Sequence, residues 1–316
     1  MKILITGSHG FVGINLAKAL AKDNTIYGLG TNNNQQDGVE KNFTWENLRA
    51  RTLPEVDAII HLAGKAHDTK NKSKADVYFQ VNTELTKKIF DYFLQSEAKT
   101  FVFFSSIKAA ADHMTEDSPI TEDIKCAPFG PYGESKIAAE NYIREKFDFT
   151  NNCDKRVYIM RPCMIHGPGN KGNLNLLYNV VRHKIPYPLG AFENRRSYLS
   201  IDNLIFIIQN ALTQDINSGI YNLADDESIS TNTLIEVISD TLGIKRRIWN
   251  VPKFFIHPIA FLGGFLHLPL NNERLNKLTE NYIVSNQKIK QAIGVNKLPI
   301  NVKDGLSYTI KSFSKK

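Results

Sequence analysis

Three glycines, Gly7, Gly10 and Gly13, follow directly on a short apolar run, Lys2-Ile-Leu-Ile-Thr6. No other feature of this 316-residue chain restricts its fold as tightly. The run reads as a buried strand, because four to eight apolar residues closed by a turn signal suit a strand covered on both faces. Beyond Gly10, Phe11, Val12, Ile14, Leu16, Ala17 and Leu20 recur at helical spacing until Asp23-Asn24. A glycine-rich turn between strand and helix lets the backbone bend tightly and approach a pyrophosphate closely. The helix N-terminus then presents free N–H groups and the positive end of its dipole to the anion. Gly7, Gly10, Phe11, Val12 and Gly13 are the candidate contacts, and the implied ligand is a dinucleotide.

The pattern continues beyond that loop. Thr25–Leu29, Asp57–Leu62, Thr100–Phe104 and Arg156–Met160 read as strands, and 75–96 and 132–147 as long helices. Strands alternating with helices at this spacing predict an α/β architecture, a parallel sheet with helices on both faces. The second half is less regular, with helices expected near 173–183, 203–213, 231–242, 254–266 and 286–293.

Composition removes other classes. Apolar residues are 42% and charged residues 22%, with 19 glycines and 12 prolines, so the chain is neither disordered nor fibrous. Its three cysteines, Cys126, Cys153 and Cys163, have no paired spacing that would make a disulfide framework or a zinc site. A reducing, cytoplasmic setting is expected. The net charge of +7 is spread out, with short clusters at Lys70–Lys74, Lys245-Arg246-Arg247 and Lys315-Lys316, and is read as a solvated surface rather than a nucleic-acid site. No apolar run reaches the roughly 18 residues of a membrane span; the nearest, Phe254–Leu268, is interrupted by His, Pro and Gly. That stretch is expected to be a buried helix. Met1 leads straight into a strand, so no signal peptide is expected.

The residue that reads the cofactor ribose is expected at the end of the second strand. There the chain has Gly30-Thr31-Asn32-Asn33, with neither a carboxylate nor an arginine. Thr31 or Asn32 can bond a neutral ribose, which favours NAD and leaves NADP open. Further on, Tyr132-Gly-Glu-Ser-Lys136 places Tyr and Lys four apart on one helical face. A phenol titrates near pH 10, and an adjacent ammonium stabilises its anion, so Tyr132 can exchange a proton with a carbinol or ketone. Ser106, after the strand at Thr100–Phe104, would hold the same substrate oxygen. Ser106, Tyr132 and Lys136 are the candidate catalytic set.

These motifs, with His61-Leu-Ala-Gly64, Asn82-Thr83, Arg161-Pro162, Gly167-Pro168-Gly169 and Arg196-Ser-Tyr-Leu-Ser-Ile-Asp202, resemble the extended short-chain dehydrogenase/reductases of the nucleotide-sugar epimerase/dehydratase family. The resemblance implies a Rossmann-like doubly wound parallel sheet, residues 1–165 with a return near 198–224. A smaller, mostly helical C-terminal substrate domain would take 166–197 and 225–316. It implies that Leu62, Ala63, Gly64, Asn82, Tyr132, Lys136 and Pro162 line the cofactor. Arg196 would clamp a nucleotide diphosphate, and Asn173 and Leu174 would hold the sugar nucleotide. A cytoplasmic homodimer acting on a UDP-sugar is the implied working unit.

Departures narrow the chemistry. Dehydratases of this group follow the catalytic hydroxyl with an Asp-Glu pair, and 3,5-epimerase/reductases place a Cys there; this chain has Ile107-Lys108. The segments around 169–173 and 194–197 look most like UDP-N-acetylhexosamine 4-epimerases and 4-ketoreductases of surface-polysaccharide pathways. Two other readings stay open, a carbonyl reductase without a nucleotide substrate and a non-catalytic NAD(P)-binding relative. His9 is expected in solvent, His61 and His67 in core or surface roles without metal, and Cys163 beside the nicotinamide without a nucleophilic part.

Overall fold

The computed structural model describes residues 1–66, 74–111, 118–150, 154–170, 172–256, 258, 275 and 278–313. Its strands are β1 Lys2–Thr6, β2 Thr25–Gly30, β3 Lys41–Thr44, β4 Ala58–His61, β5 Thr100–Phe104, β6 Arg156–Pro162, β7 Met164–His166, β8 Arg196–Ser200, β9 Gly219–Leu223 and β10 Ser228–Ile229. The first helices are α1 Phe11–Leu20, α2 Trp45–Arg49, α3 Ala75–Tyr78, α4 Leu85–Gln95, α5 Ile107–Ala110 and α6 Gly130–Lys146. They are followed by α7 Asn173–Arg182, α8 Ile201–Thr213, α9 Thr231–Leu242, α10 Gln287–Ala292 and α11 Val302–Phe313.

Seven strands form one sheet in the order β3-β2-β1-β4-β5-β6-β9, every neighbour pair parallel. This is the doubly wound, Rossmann-like arrangement. The chain runs outward from β1 to β3, then crosses back so that β4 lies against the free side of β1. Such a reversal opens a crevice beyond the C-terminal ends of the two strands, where ligands of open parallel sheets bind. The strand sequences suit the position: β5 is Thr-Phe-Val-Phe-Phe and buried throughout, as a strand covered on both faces must be. Alternation sorts the side chains, with Ile3 and Ile5 packing on one face among Leu16, Leu20 and Ile60, and Leu4 on the other with Phe90, Phe93 and Phe101.

A second sheet has three strands, in the order β10-β8-β7. Beside it, Tyr178, Tyr187, Leu189, Ile238, Leu306 and Ile310 form a separate apolar centre. Residues 282–298 pack through Tyr282, Val284, Ile289, Ile293 and Leu298 with the core of the large sheet. The division we propose therefore gives that segment to the sheet and 166–197, with α9 and α11, to the smaller unit.

The helix expected over 75–96 contains a π-helical stretch, Phe79–Glu84, between α3 and α4. The wider turn buries Asn82 and Thr83 against α6; such stretches occur frequently at functional sites. The edge pair β3–α2, the short strands β7 to β10 and the terminal helix α11 have no counterpart in the sequence reading. The apolar run from Phe254 departs from expectation: Phe254 and Phe255 are exposed, and only Ile256 turns into the second apolar centre. Residues 259–268 of that run lie outside the described residues, as do His67 and Cys153.

Candidate active site

The glycine loop sits at the C-terminal end of β1, beside the reversal point. Gly7 has φ +70°, and a Cβ there would stand 2.8 Å from the Ala63 amide nitrogen. A Cβ on Gly13 would meet the Gly7 carbonyl oxygen and the Ser8 backbone at under 3 Å, so α1 packs directly onto the turn. Gly10, which begins the helix, is open by contrast, with only the Gly7 carbonyl within reach at 3.2 Å. The N-terminus of α1 carries no side-chain cap and no acidic residue in its first turn. Its unsatisfied N–H groups and dipole end therefore fit the pyrophosphate of a dinucleotide.

The Asn-rich loop after β2 is fastened over this turn. Asn42 on β3 donates to the Asn34 carbonyl at 2.8 Å and accepts from the Ser8 hydroxyl at 3.3 Å; Gln36 donates to the Ser8 carbonyl at 3.0 Å. His9 reaches the Asn34 carbonyl at 3.2 Å. Thr31 is exposed, and Asn32 spends its side-chain oxygen on the Asn34 N–H at 3.1 Å, a local turn. Asn34, Gln36 and Asn42 carried no signal in the sequence, since each acts through a partner in another element.

His61, at the end of β4, ties the floor of the crevice together. The Thr86 hydroxyl gives its proton to the Asn82 carbonyl at 2.7 Å, so it must accept from His61 Nε2 at 2.9 Å. His61 Nδ1 then accepts from the Thr6 hydroxyl at 2.6 Å, and Thr6 in turn accepts the Ala63 N–H at 3.1 Å. These proton positions follow from the network. Burial, and then the nearby Lys136 ammonium, push the His61 imidazole down to about 3, so it stays neutral. Leu62, Ala63 and Gly64 continue from β4 across the crevice. Asn82 holds this segment by bonding both the N–H and the carbonyl of Lys65, at 2.7 and 3.1 Å, and it donates to Ser135 at 3.0 Å.

The structure brings Ser106 and Tyr132 together: the Ser106 side chain hydrogen-bonds the phenol, and the Tyr78 ring meets Tyr132 edge-on at 6.5 Å. Burial raises the Tyr132 phenol above its usual range, and the Ser106 hydrogen bond opposes that rise. Lys136 is buried, with Nζ donating to the Phe104 carbonyl at 2.8 Å and lying 5.0 Å over the Phe103 ring. Burial pulls its ammonium down to about 8, while Glu140 one turn further along α6 pushes the other way. Gly64 is the near neighbour on the cofactor side; a Cβ there would lie 3.1 Å from Lys136 Nζ and 3.0 Å from Asn82 Oδ1.

Behind this pair is a group the sequence reading did not single out. Glu140, fully buried, accepts Nε of Arg161 at 3.0 Å, Nη2 at 2.5 Å and the Ser105 hydroxyl. It fixes the turn carrying Ser106 to the helix carrying Tyr132 and Lys136. Its position four residues after Lys136, on the same helical face, was the available signal.

The substrate-side residues are more dispersed. Arg196 on β8 is partly exposed, 4.0 Å from Glu280 Oε1 and over the Tyr282 ring at 6.0 Å. Leu174 is buried in the second apolar centre, so its side chain is a packing group and only its backbone N–H, in the first turn of α7, faces a ligand role. Asn173 opens that helix, whose N-terminus is also without a side-chain cap; its side chain lies outside the described residues. Pro162 ends β6, paired with Leu223. Burial, reinforced by Asp225, raises the Cys163 thiol well above its usual range, so it stays protonated. Among the described residues no cluster of His, Cys, Asp and Glu could hold a metal ion, and no helix is long and apolar enough to cross a membrane.

Comparison with known proteins agrees with this geometry. A family model described as the NAD dependent epimerase/dehydratase family matches residues 3–224. The chain is 28% identical to a UDP-glucose 4-epimerase of Vibrio cholerae, covering 98% of this chain and 95% of that protein. It is 26% identical to an N-acetyl-alpha-D-glucosaminyl-diphospho-ditrans,octacis-undecaprenol 4-epimerase of Escherichia coli O157:H7, over 92% and 84% of the two chains. Among solved structures, a UDP-glucose 4-epimerase of Thermotoga maritima with UDP-glucose superposes with a TM-score of 0.76 at 18% identity, over 100% and 99% of the chains. The Bordetella bronchiseptica enzyme WbmG in complex with NAD and UDP gives 0.73 at 17% identity, over 99% and 94%. With its glycine loop at the strand reversal, its Ser106–Tyr132 contact and a family match across most of its length, the chain belongs to the NAD dependent epimerase/dehydratase family.

Proposed function

We propose that this protein is an NAD(P)-dependent 4-epimerase or 4-ketoreductase acting at C4 of a UDP-sugar. A UDP-N-acetylhexosamine or its 4-keto-6-deoxy derivative, in surface-polysaccharide synthesis, is the substrate of this reading, and a homodimer its working unit. The observation that carries it is the hydrogen bond between Ser106 and the Tyr132 phenol, with Lys136 buried one turn further along the same helix and bonded to the Phe104 carbonyl two residues before Ser106. Solved relatives with NAD, UDP or UDP-glucose bound support the ligand class.

The α1 N-terminus with Gly7 and Gly10 would hold the pyrophosphate, and Leu62 to Gly64, Asn82 and Pro162 would line the rest of the dinucleotide. NAD is the favoured form, since residues 31–36 contain no Lys or Arg to meet a 2′-phosphate. When bound, the nicotinamide supplies a hydride acceptor or donor for the sugar carbon. Tyr132 Oη takes the O4 proton as the carbinol becomes a ketone and returns it on re-reduction. Ser106 donates to the same oxygen. Lys136, as an ammonium, lowers the cost of the phenolate that forms in a site whose burial otherwise raises it. Water elimination has no acid–base pair at Ile107-Lys108, which sets the proposal apart from dehydratases. Arg196, with two parallel donors, would grip the diphosphate.

Titration with UDP and with UDP-N-acetylglucosamine tests the substrate class. Losing a hydrogen bond to a charged group costs about 1.5–3 kcal/mol, so Arg196→Ala is expected to weaken UDP binding roughly 10- to 150-fold, and Arg196→Lys to restore part of it. Equal affinities in all three proteins would instead favour a carbonyl reductase without a nucleotide substrate. The nucleotide content of the purified protein then separates the two activities: stoichiometric bound NAD marks an epimerase, and an exchangeable site accepting NAD(P)H marks a reductase.

A further inference from the structure

Two lengths of chain that lie side by side in the smaller unit, residues 182–192 and 244–256, contain six Lys and Arg and no Asp or Glu. They are joined by main-chain hydrogen bonds from Tyr187 to Arg247 and from Trp249 to Tyr187, both 2.8 Å, and from Gly190 to Trp249 at 3.0 Å. One side of the pair is core: Tyr187, Leu189, Phe192 and Ile256 are buried in the second apolar centre. The other side is exposed and apolar. Ile185, Trp249, Phe254 and Phe255 are 54%, 57%, 67% and 52% accessible, a concentration of large apolar side chains that the active site does not use.

The same two lengths of chain carry the charge. Arg246 is paired with Asp240 at 2.7 Å and Glu236 at 3.5 Å. Arg182, Lys184, Lys245, Arg247 and Lys253 form no ion pair with any described residue. Arg247 donates to the Lys184 carbonyl at 3.0 Å, which fixes its cation next to Ile185; Lys253 sits 5.4 Å over the Phe192 ring. The Phe254 and Phe255 rings lie 3.9 Å apart, in contact, with no gap for a nucleic-acid base between them.

We propose that this face docks on the surface of an anionic lipid bilayer. Trp249, Phe254 and Phe255 enter the boundary between headgroups and acyl chains, while Arg182, Lys184, Lys245, Arg247 and Lys253 meet the lipid phosphates. Exposed aromatics beside basic residues are what an interfacial, non-spanning contact requires, and a sheet of phosphates is the partner complementary to two segments whose six charged side chains are all basic. The docking unit is the one carrying α7 and β8, so the proposed sugar-nucleotide side of the enzyme would work close to the membrane surface.

The 316-residue chain with Trp45→Phe keeps Trp249 as its one tryptophan, a reporter inside the face. It is sedimented with vesicles of phosphatidylglycerol and phosphatidylcholine in equal parts, and with phosphatidylcholine alone. Expected are binding to the anionic vesicles, at least about tenfold stronger than to the neutral ones, weakening as salt rises, and a blue shift of Trp249 emission. The exposed-residue variants Phe254→Ser with Phe255→Ser, and Lys245→Glu with Arg247→Glu and Lys253→Glu, are each expected to reduce partitioning at least about tenfold. Circular dichroism and UDP titration confirm that each variant is folded, and unchanged UDP affinity keeps this result separate from the function proposed above. Equal sedimentation with both vesicles, an unshifted Trp249 emission, or wild-type partitioning by either variant would overturn the proposal. So would protein dimers that form through the face without lipid, or competition by single-stranded RNA that outlasts saturation with anionic lipid.

Discussion

Around Tyr132 and Lys136, polar side chains join into hydrogen-bonded chains that cross several strands; in the C-terminal part of the chain, single Asn and Asp side chains hold stretches of irregular backbone. On the cofactor side the chain Ala63–Thr6–His61–Thr86–Asn82 links β1, β4 and the π-helical stretch. The Ser105–Glu140–Arg161 group links β5, α6 and β6. In the C-terminal part of the chain Asn194 donates to the Leu278 carbonyl at 3.1 Å, Asn203 brackets the N–H and carbonyl of Ile300 at 3.0 and 2.8 Å, and Asp226 accepts the Leu298 N–H at 2.8 Å. The difference follows from the sheets. Seven parallel strands already satisfy their own backbone, so side chains there are available to shape a site. Residues 298–300 lie outside any helix or strand, and Asn203 and Asp226 take up their backbone N–H and carbonyl groups. Substitutions on the first side should therefore act on chemistry, and on the second side on stability.

The largest effect expected is at Tyr132. Phenylalanine keeps the ring against Tyr78 and removes the hydroxyl, so turnover should fall about 10²–10⁴-fold, the range of a general acid–base group. Cofactor and UDP affinities and the denaturant midpoint should hardly move. Turnover near wild type would remove Tyr132 from the mechanism, and a large loss of stability would break the contrast between the two sides.

Glu140 sharpens the contrast, because it is the place on the cofactor side where stability and geometry coincide. Glu140→Gln leaves the Arg161 guanidinium buried without its counter-ion, and removing one partner of a buried pair typically costs about 3–5 kcal/mol. Unfolding in urea should show that loss, with turnover reduced because the Ser105–Ser106 turn loses its tie to α6. A variant as stable as wild type would mean that water reaches Arg161 Nη1, which has no partner among the described residues.

Asn203→Ala makes the matching test on the C-terminal backbone. It strands the Ile300 backbone and one bond to the Asp225 carboxylate, itself buried and accepting the Ser200 N–H at 3.0 Å. A loss of about 1–3 kcal/mol in unfolding free energy is expected, with dinucleotide affinity unchanged. Weaker dinucleotide binding in this variant would show that the two halves are coupled.

The same contrast explains what could be read from the sequence. β1 and β5 are uninterrupted apolar runs, and the glycine loop and Tyr132…Lys136 work through neighbours within a turn or two, so local pattern carried them. β3 is Lys-Asn-Phe-Thr, which has no strand periodicity; its Asn42 earns its place through Ser8 and Asn34. β8 registered as a motif rather than a strand because its partners, β7 and β10, are two or three residues long. Leu174 was read as a ligand contact although its side chain packs inward, and Phe254-Phe255 as core although only Ile256 is buried. Hydrophobic content alone does not say which of three adjacent residues turns inward: residues 253–256 are helical, and consecutive helical side chains point roughly 100° apart.

His61 gives the smallest and most specific test. Its imidazole is held at about 3 against an ordinary value of 6.5, by burial first and Lys136 second. Between those values the unfolded chain binds a proton that the folded protein refuses. Stability contributed by this group is therefore intact above pH 6.5 and is lost as pH falls toward 3, at up to about 1.4 kcal/mol per pH unit. His61→Gln cannot titrate, so between pH 6 and pH 4 the unfolding free energy of the wild type should fall more steeply than that of the variant by about that slope. Comparing slopes rather than absolute stabilities removes the cost of altering the bonds to Thr6 and Thr86. A wild-type slope equal to that of His61→Gln would mean that the imidazole can take up a proton in place. The chain of bonds from Ala63 to Asn82 would then yield to pH, and the cofactor side would be no more rigid than the backbone held by Asn203 and Asp226.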